Sequence, residues 1–173
     1  MRKLLLGLVA VGAVTLAAGR TAEAQVRFGA NLSWGGDTDV GLGARLNFGV
    51  GSLADSKPIE GLITFDYFFP DESFGVDATY WEISANAIYR FVERGKGITP
   101  YAGGGVLLAR SSVEVGSGQS SISGSDSDIG LSILGGLRFK TAGTLIPFAE
   151  ARIDIVADNS QLVLSGGVYF GQP

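Results

Sequence analysis

Ten charged residues stand at one parity within alternating stretches of the chain: Arg27, Arg45, Arg90, Arg138 and Arg152 against Glu60, Asp66, Glu82, Glu150 and Asp154. Five guanidiniums and five carboxylates can neutralise one another. The planar guanidinium fork suits a carboxylate wherever water is excluded and each charge needs a partner. A solvated face has no reason to balance its signs and favours Lys over Arg. The chemistry these residues point to is therefore ion pairing in a closed space.

Proton transfer and nucleophilic attack have much less to work with. The chain has no histidine and no cysteine. That removes the usual general base, the commonest metal ligand, thiolate chemistry and any disulfide. Ser111, Ser112, Asp126 and Asp128 supply hydroxyls and carboxylates, but their spacing specifies no catalytic arrangement. The run GSDSD, 124–128, has two carboxylates, whereas a Ca²⁺ site needs six or more oxygens. No metal, no cofactor and no enzyme activity is expected.

The elements that must position the charges follow from the pattern around them. Arg27 lies in VRFGANLSW, 26–34, where Val26, Phe28, Ala30, Leu32 and Trp34 alternate with Arg27, Gly29, Asn31 and Ser33. A period of two places these sets on opposite faces of a β-strand. The same rhythm predicts strands over 39–51, 59–69, 80–92, 98–115, 128–140, 144–156 and 161–170. Gly35 to Asp37, Leu53 to Pro58, PDESFGVD (70–77), Glu93 to Gly97, Thr141 to Thr144 and Ala157 to Ser160 read as connections. GSGQSSISGSDSD, 116–128, has no large apolar group except Ile122 and reads as a mobile loop. The fifth strand has two possible facings, because Gly103, Gly104 and Gly105 carry no side-chain signal. Pro58, Pro70, Pro100 and Pro147 all fall at or near strand ends, where a missing N–H matters least. Consecutive hairpins without a long crossover predict an all-β fold, an eight-stranded antiparallel up-and-down barrel.

The chain starts MRKLLLGLVAVGAVTLAAGRTAEAQ. A basic start, an apolar run from Leu4 to Ala18 and the small-x-small triplet Ala22-Glu23-Ala24 predict a secretory signal peptide over 1–24, cleaved after Ala24. Cleavage removes Arg2, Lys3, Arg20 and Glu23, leaving 25–173 more acidic than the whole chain's net charge of −4. An acidic domain is no nucleic-acid binder. Charged residues make up 17% of the chain, against about a quarter in ordinary soluble domains. After the signal peptide no apolar run is long enough for a spanning helix, so a membrane reading must be a barrel reading.

Two further features bear on which face is wet. Glycines share the polar face at Gly29, Gly41, Gly43, Gly49, Gly130 and Gly136. An eight-strand barrel has an interior that side chains just fill, so small residues must sit opposite long ones. Aromatics gather at strand ends. Trp34, Tyr67, Phe69 and Trp81 make one girdle; Phe48, Tyr89, Phe91, Phe139 and Phe170, with Phe28 and Tyr101, make the other. A membrane barrel turns its apolar face to lipid. The alternative, a soluble periplasmic lipocalin-like barrel binding an apolar ligand, turns that face inward.

The signal peptide, the strand rhythm, the fifth strand ITPYAGGGV and the closing GGVYF make the chain resemble the small outer-membrane β-barrel family that includes OmpX and the barrel domain of OmpA. The resemblance covers 25–170. It implies a transmembrane barrel in the outer membrane of a Gram-negative cell, in contact with lipid and lipopolysaccharide. The expected form is a monomer that presents surface loops. It also implies recognition by the barrel assembly machinery through the last strand, where Phe170 shares a face with Val168, Gly166 and Leu164. Gly171, Gln172 and Pro173 follow that aromatic. The family's lipid-modifying enzymes rely on a histidine, which this sequence lacks.

Overall fold

The computed structural model describes residues 26–36, 38–50, 59–69, 76–91, 97–115, 122–156 and 159–171. The signal peptide with its cleavage point at Ala24 lies outside these residues. So do the connections at 53–58 and 93–96 and most of PDESFGVD. Eight strands follow in chain order: β1 (Arg27–Gly35), β2 (Asp39–Gly49), β3 (Ile59–Phe68), β4 (Val76–Arg90), β5 (Ile98–Val115), β6 (Ile122–Phe139), β7 (Leu145–Val156) and β8 (Asn159–Phe170). Each pairs antiparallel with its neighbour in sequence, and β8 returns to β1 to close the barrel.

The alternation that makes these residues strands also gives the barrel wall two unlike faces. Along β1 every second residue is buried, and Phe28 and Leu32 between them are 64% and 61% exposed. The outward rows of β6, Ile129, Leu131 and Ile133, are 78%, 58% and 58% exposed. The buried set is led by Arg45, Asn47, Asp66, Glu82, Arg152 and Asp154. Polarity is thus inverted relative to a soluble barrel, and the lipocalin-like arrangement with apolar rows inside is not what the chain adopts.

Closure sets the two ends. Phe28 pairs with Phe170 at the terminal end, where both termini of the barrel lie; the β1–β2, β3–β4, β5–β6 and β7–β8 connections lie at the far end. The β1–β2 turn is tight, with Thr38 N–H donating to Gly35 O at 3.3 Å and Asp39 at φ 59°. Asp is among the few side chains that tolerate this left-handed conformation.

The expectation of a mobile loop over 116–128 is corrected for 122–128, while 116–121 lie outside the described residues. Residues 122–128 belong to β6, with Ser125 opposite Ser112, Asp126 opposite Ser111 and Asp128 opposite Ala109. Val76–Thr79 likewise extend β4 rather than a loop. Low complexity did not prevent strand formation, because the cross-strand backbone ladder needs no particular side chain. Strands β5 and β6 are 18 residues each, and β4 is 15; β1 is only 9. The three long strands continue as a sheet beyond the barrel's far rim.

Glycine on the inner face makes room for inward rings. A Cβ at Gly136 would press on the Tyr101 ring, one at Gly29 on Tyr169, and one at Gly41 on Phe68. By contrast, a Cβ at Gly49 meets nothing within 4 Å. Gly136→Val is therefore expected to destabilise the barrel by about 1–3 kcal/mol through overpacking, and Gly49→Ala by less than about 0.5 kcal/mol. Equilibrium urea unfolding of the refolded variants, followed by tryptophan fluorescence, measures both.

Candidate functional site

The ten predicted ionic residues all turn into the barrel, and they sort into three levels along its axis. At the terminal end Glu60 is the hub. Its carboxylate lies 2.7 Å from Arg138 Nη1, 2.6 Å from Arg90 Nε and 3.6 Å from Arg27 Nη1. Arg90 sits at the rim, with its side chain 30% exposed. Strand β3 supplies the carboxylate, and β1, β4 and β6 supply the cations.

In the middle level Arg45 donates to Glu150 at 2.8 Å, with both side chains at or near zero exposure. The Tyr101 hydroxyl donates to the other oxygen of Glu150 at 2.7 Å. Arg45 Nε also donates to Asn31 Oδ1 at 3.0 Å, and Asn31 Nδ2 donates onward to Asp66 at 2.8 Å.

At the far level the arrangement of the terminal end is reversed. Arg152 is the hub, and three carboxylates surround it: Glu82 at 2.5 Å, Asp154 at 2.8 Å and Asp66 at 3.1 Å. Tyr80 and Gln161 donate to Glu82 at 2.7 and 3.1 Å. Thr64 accepts from Arg152 at 3.2 Å, and Ser33 donates to Asp66 at 3.0 Å. In formal charge, one carboxylate faces three guanidiniums at the terminal end, and one guanidinium faces three carboxylates at the far end.

The charges share the interior with apolar side chains, among them Leu62, Phe68 and Ile88 at the same strand parity as the ionic residues. Leu62, Ile88, Tyr101, Leu134, Phe148 and Tyr169 form one buried cluster toward the terminal end. Tyr101, expected in an aromatic girdle, is 2% exposed and faces inward. This corrects that expectation and fixes the facing of β5: Tyr101, Leu107 and Ala109 point in, Val106 and Leu108 out. The rings serve the charges. The Arg138 guanidinium lies 5.0 Å from the centroids of both Tyr101 and Tyr169, and that of Arg45 lies 4.4 Å from Phe148. A weakly hydrated, planar cation is well placed between such faces. The signal for this lay in Tyr169, one residue out of phase with Leu164, Val168 and Phe170 on the outer face.

The other ten expected girdle aromatics, Phe28 among them, lie on the outer face. Trp34, Phe69, Tyr89, Phe91 and Phe170 are exposed; Phe48, Tyr67, Trp81 and Phe139 are half-buried. Tyr67 packs edge-on against Phe69 at 5.0 Å, and Tyr89 against Phe91 at 5.0 Å, one pair at each end. Ser111 and Asp126 are Cα partners on the far-end sheet. Among those residues no group of His, Cys, Asp and Glu is arranged to hold a metal.

No protein-family model matches the chain, and no curated protein matches it. Solved structures do. Neisserial surface protein A is 20% identical over 84% of this chain and 95% of its own, with a TM-score of 0.61. The N-terminal β-barrel domain of Pseudomonas aeruginosa OprF is 18% identical over 87% and 98%, at 0.62. Ail, the attachment invasion locus protein of Yersinia pestis, is 15% identical over 86% and 99%, at 0.59. The chain has the fold of the small eight-stranded outer-membrane β-barrels along nearly the full length of each.

Removing the far hub should be costly. Arg152→Met leaves three carboxylates facing one another in a space closed to water. The expected loss is about 3–5 kcal/mol of folding stability. Restoring neutrality in part with Arg152→Met/Asp66→Asn/Glu82→Gln should recover much of it. Urea titrations of both variants at one pH check the pair of outcomes.

Proposed function

We propose that this chain, built on the small outer-membrane barrel fold, is a non-enzymatic integral outer-membrane protein. Its side-chain-filled lumen makes it a plug rather than a pore, and it presents the β4–β6 sheet at the cell surface. The observation that carries the reading is the inverted polarity. Large apolar side chains cover the outside from Phe28 to Phe170, and the ion pairs lie within. Water disfavours such a surface, and a hydrocarbon layer accepts it. Export would begin with the signal peptide over 1–24, and the outward row Leu164, Gly166, Val168 and Phe170 of β8 is the segment offered to the assembly machinery.

Three layers of paired side chains leave no continuous wide water path. That favours a structural or interaction role over bulk transport. The far-end sheet supplies the means. Among the described residues, strand β6 pairs with β7 only from Gly130 onward, and between Ile122 and Ile129 it is bonded to β5. A strand with one free edge can accept an extended segment of a partner through main-chain hydrogen bonds.

Because the chain has no native cysteine, single cysteines report topology cleanly. Gly124→Cys on the far-end sheet, where a side chain meets nothing within 4 Å, should react with a membrane-impermeant maleimide on intact cells. Gly143→Cys, in the β6–β7 turn at the terminal end, should react only after permeabilisation. The opposite labelling would overturn surface presentation. In planar bilayers the purified protein should give no large, steady conductance; a porin-like current would overturn the plugged lumen.

A further inference from the structure

Arg110 breaks the pattern that governs the other arginines. Among the described residues, Arg27, Arg45, Arg90, Arg138 and Arg152 face the interior, and Arg110 alone among strand arginines faces outward. Its place in the register is specific. Leu42, Tyr67, Trp81, Arg110 and Ser127 are successive Cα partners across β2, β3, β4, β5 and β6. The outward row one step toward the terminal end is Phe65, Ile83, Leu108 and Ile129, wholly apolar. On β4, β5 and β6 the next outward row beyond Arg110 is Thr79, Ser112 and Ser125, all hydroxyl, while β2 and β3 continue with the apolar Val40 and Phe69. On those three strands the boundary between greasy and polar surface therefore runs through Arg110, and Trp81 shares its row. Amphipathic rings mark the depth at which acyl chains give way to headgroups.

The guanidinium is also held in a useful posture. Arg110 Nη1 donates to Ser127 Oγ at 3.5 Å and Nη2 donates to Ser125 Oγ at 3.2 Å, so the side chain leans away from the apolar rows. A hydroxyl that accepts from a guanidinium keeps its own O–H to donate. Asp126 and Asp128 stand on the opposite face of β6, and no ion pair involves Arg110 among the described residues. One planar cation and two orientable hydroxyls thus converge at the level where a bilayer places its phosphates.

We propose that Arg110, Ser125 and Ser127 form an outward-facing binding site for a phosphate group of an outer-leaflet lipid. The anion takes N–H bonds from the guanidinium fork and O–H bonds from the two serines. The proposal rests on the membrane-spanning reading and names the lipid contact that reading leaves general. Anchoring by this cradle holds one headgroup against the foot of the β4–β6 sheet.

The full chain would be refolded into phosphatidylcholine nanodiscs doped with diphosphorylated lipid A, and retained lipid A counted by native mass spectrometry. Arg110→Gln is expected to lower lipid A affinity about fivefold, the share typical of one basic residue at an anionic surface. Arg110→Lys, which keeps the charge without the fork, should fall between. Ser125→Ala/Ser127→Ala should weaken retention with Arg110 intact. Equal retention by wild type and Arg110→Gln would overturn the proposal. So would inorganic phosphate displacing the lipid from the wild type at millimolar concentration, because the site would then be one for a soluble anion. A wild type that fails to enter nanodiscs would overturn the membrane reading along with the proposal. Lipid-independent barrel content, read by circular dichroism, confirms that each variant is folded.

Discussion

A sheet that shows its apolar face to the outside has to close on itself. In hydrocarbon no water is available to satisfy a free strand edge, and each unmet backbone group costs several kcal/mol. The pairing of β1 with β8, from Phe28 opposite Phe170 to Gly35 opposite Val163, removes the last edge. Everything else follows from that seam. Closure creates an interior too narrow for bulk water, and that interior makes unpaired charge intolerable. It also forces the sequence to supply cations and anions in mutually reachable positions.

The interior answers with hubs instead of isolated pairs. Glu60 draws cations from three strands, and Arg152 draws carboxylates from β3, β4 and β7 itself. Such hubs cross the lumen and tie together strands that share no backbone ladder. Arg45 on β2 reaching Glu150 on β7 is the clearest case. The aromatic rings of Tyr101, Phe148 and Tyr169 fill the space between hubs and stack on the guanidiniums. Glycine on neighbouring strands admits their bulk. Burial of ions is a poor source of net stability, so these contacts specify one arrangement of the lumen more than they hold the barrel shut.

Much of this was legible in the sequence because alternation is a local property. The facing of Arg27, Arg45, Glu82 and Arg152 could be read from their immediate neighbours. The closed eight-strand order could be read from turn signals between the runs. Three things could not. Tyr101 stands beside three glycines, so no neighbour declares which way its ring points, and cross-lumen packing on Gly136 and Arg138 decides it. Residues 122–128 have no hydrophobic face to announce a strand. Their conformation is imposed by the β5 backbone opposite, a long-range cause that composition does not record. The hubs were likewise invisible. The equal numbers of Arg and carboxylate were countable, but which of them meet depends on closure.

The opposite make-up of the two hubs gives the barrel an electrical direction. Surplus positive formal charge collects at the terminal end and surplus negative charge at the far end, with a neutral pair between them. The molecule is therefore a fixed dipole aligned with its own axis.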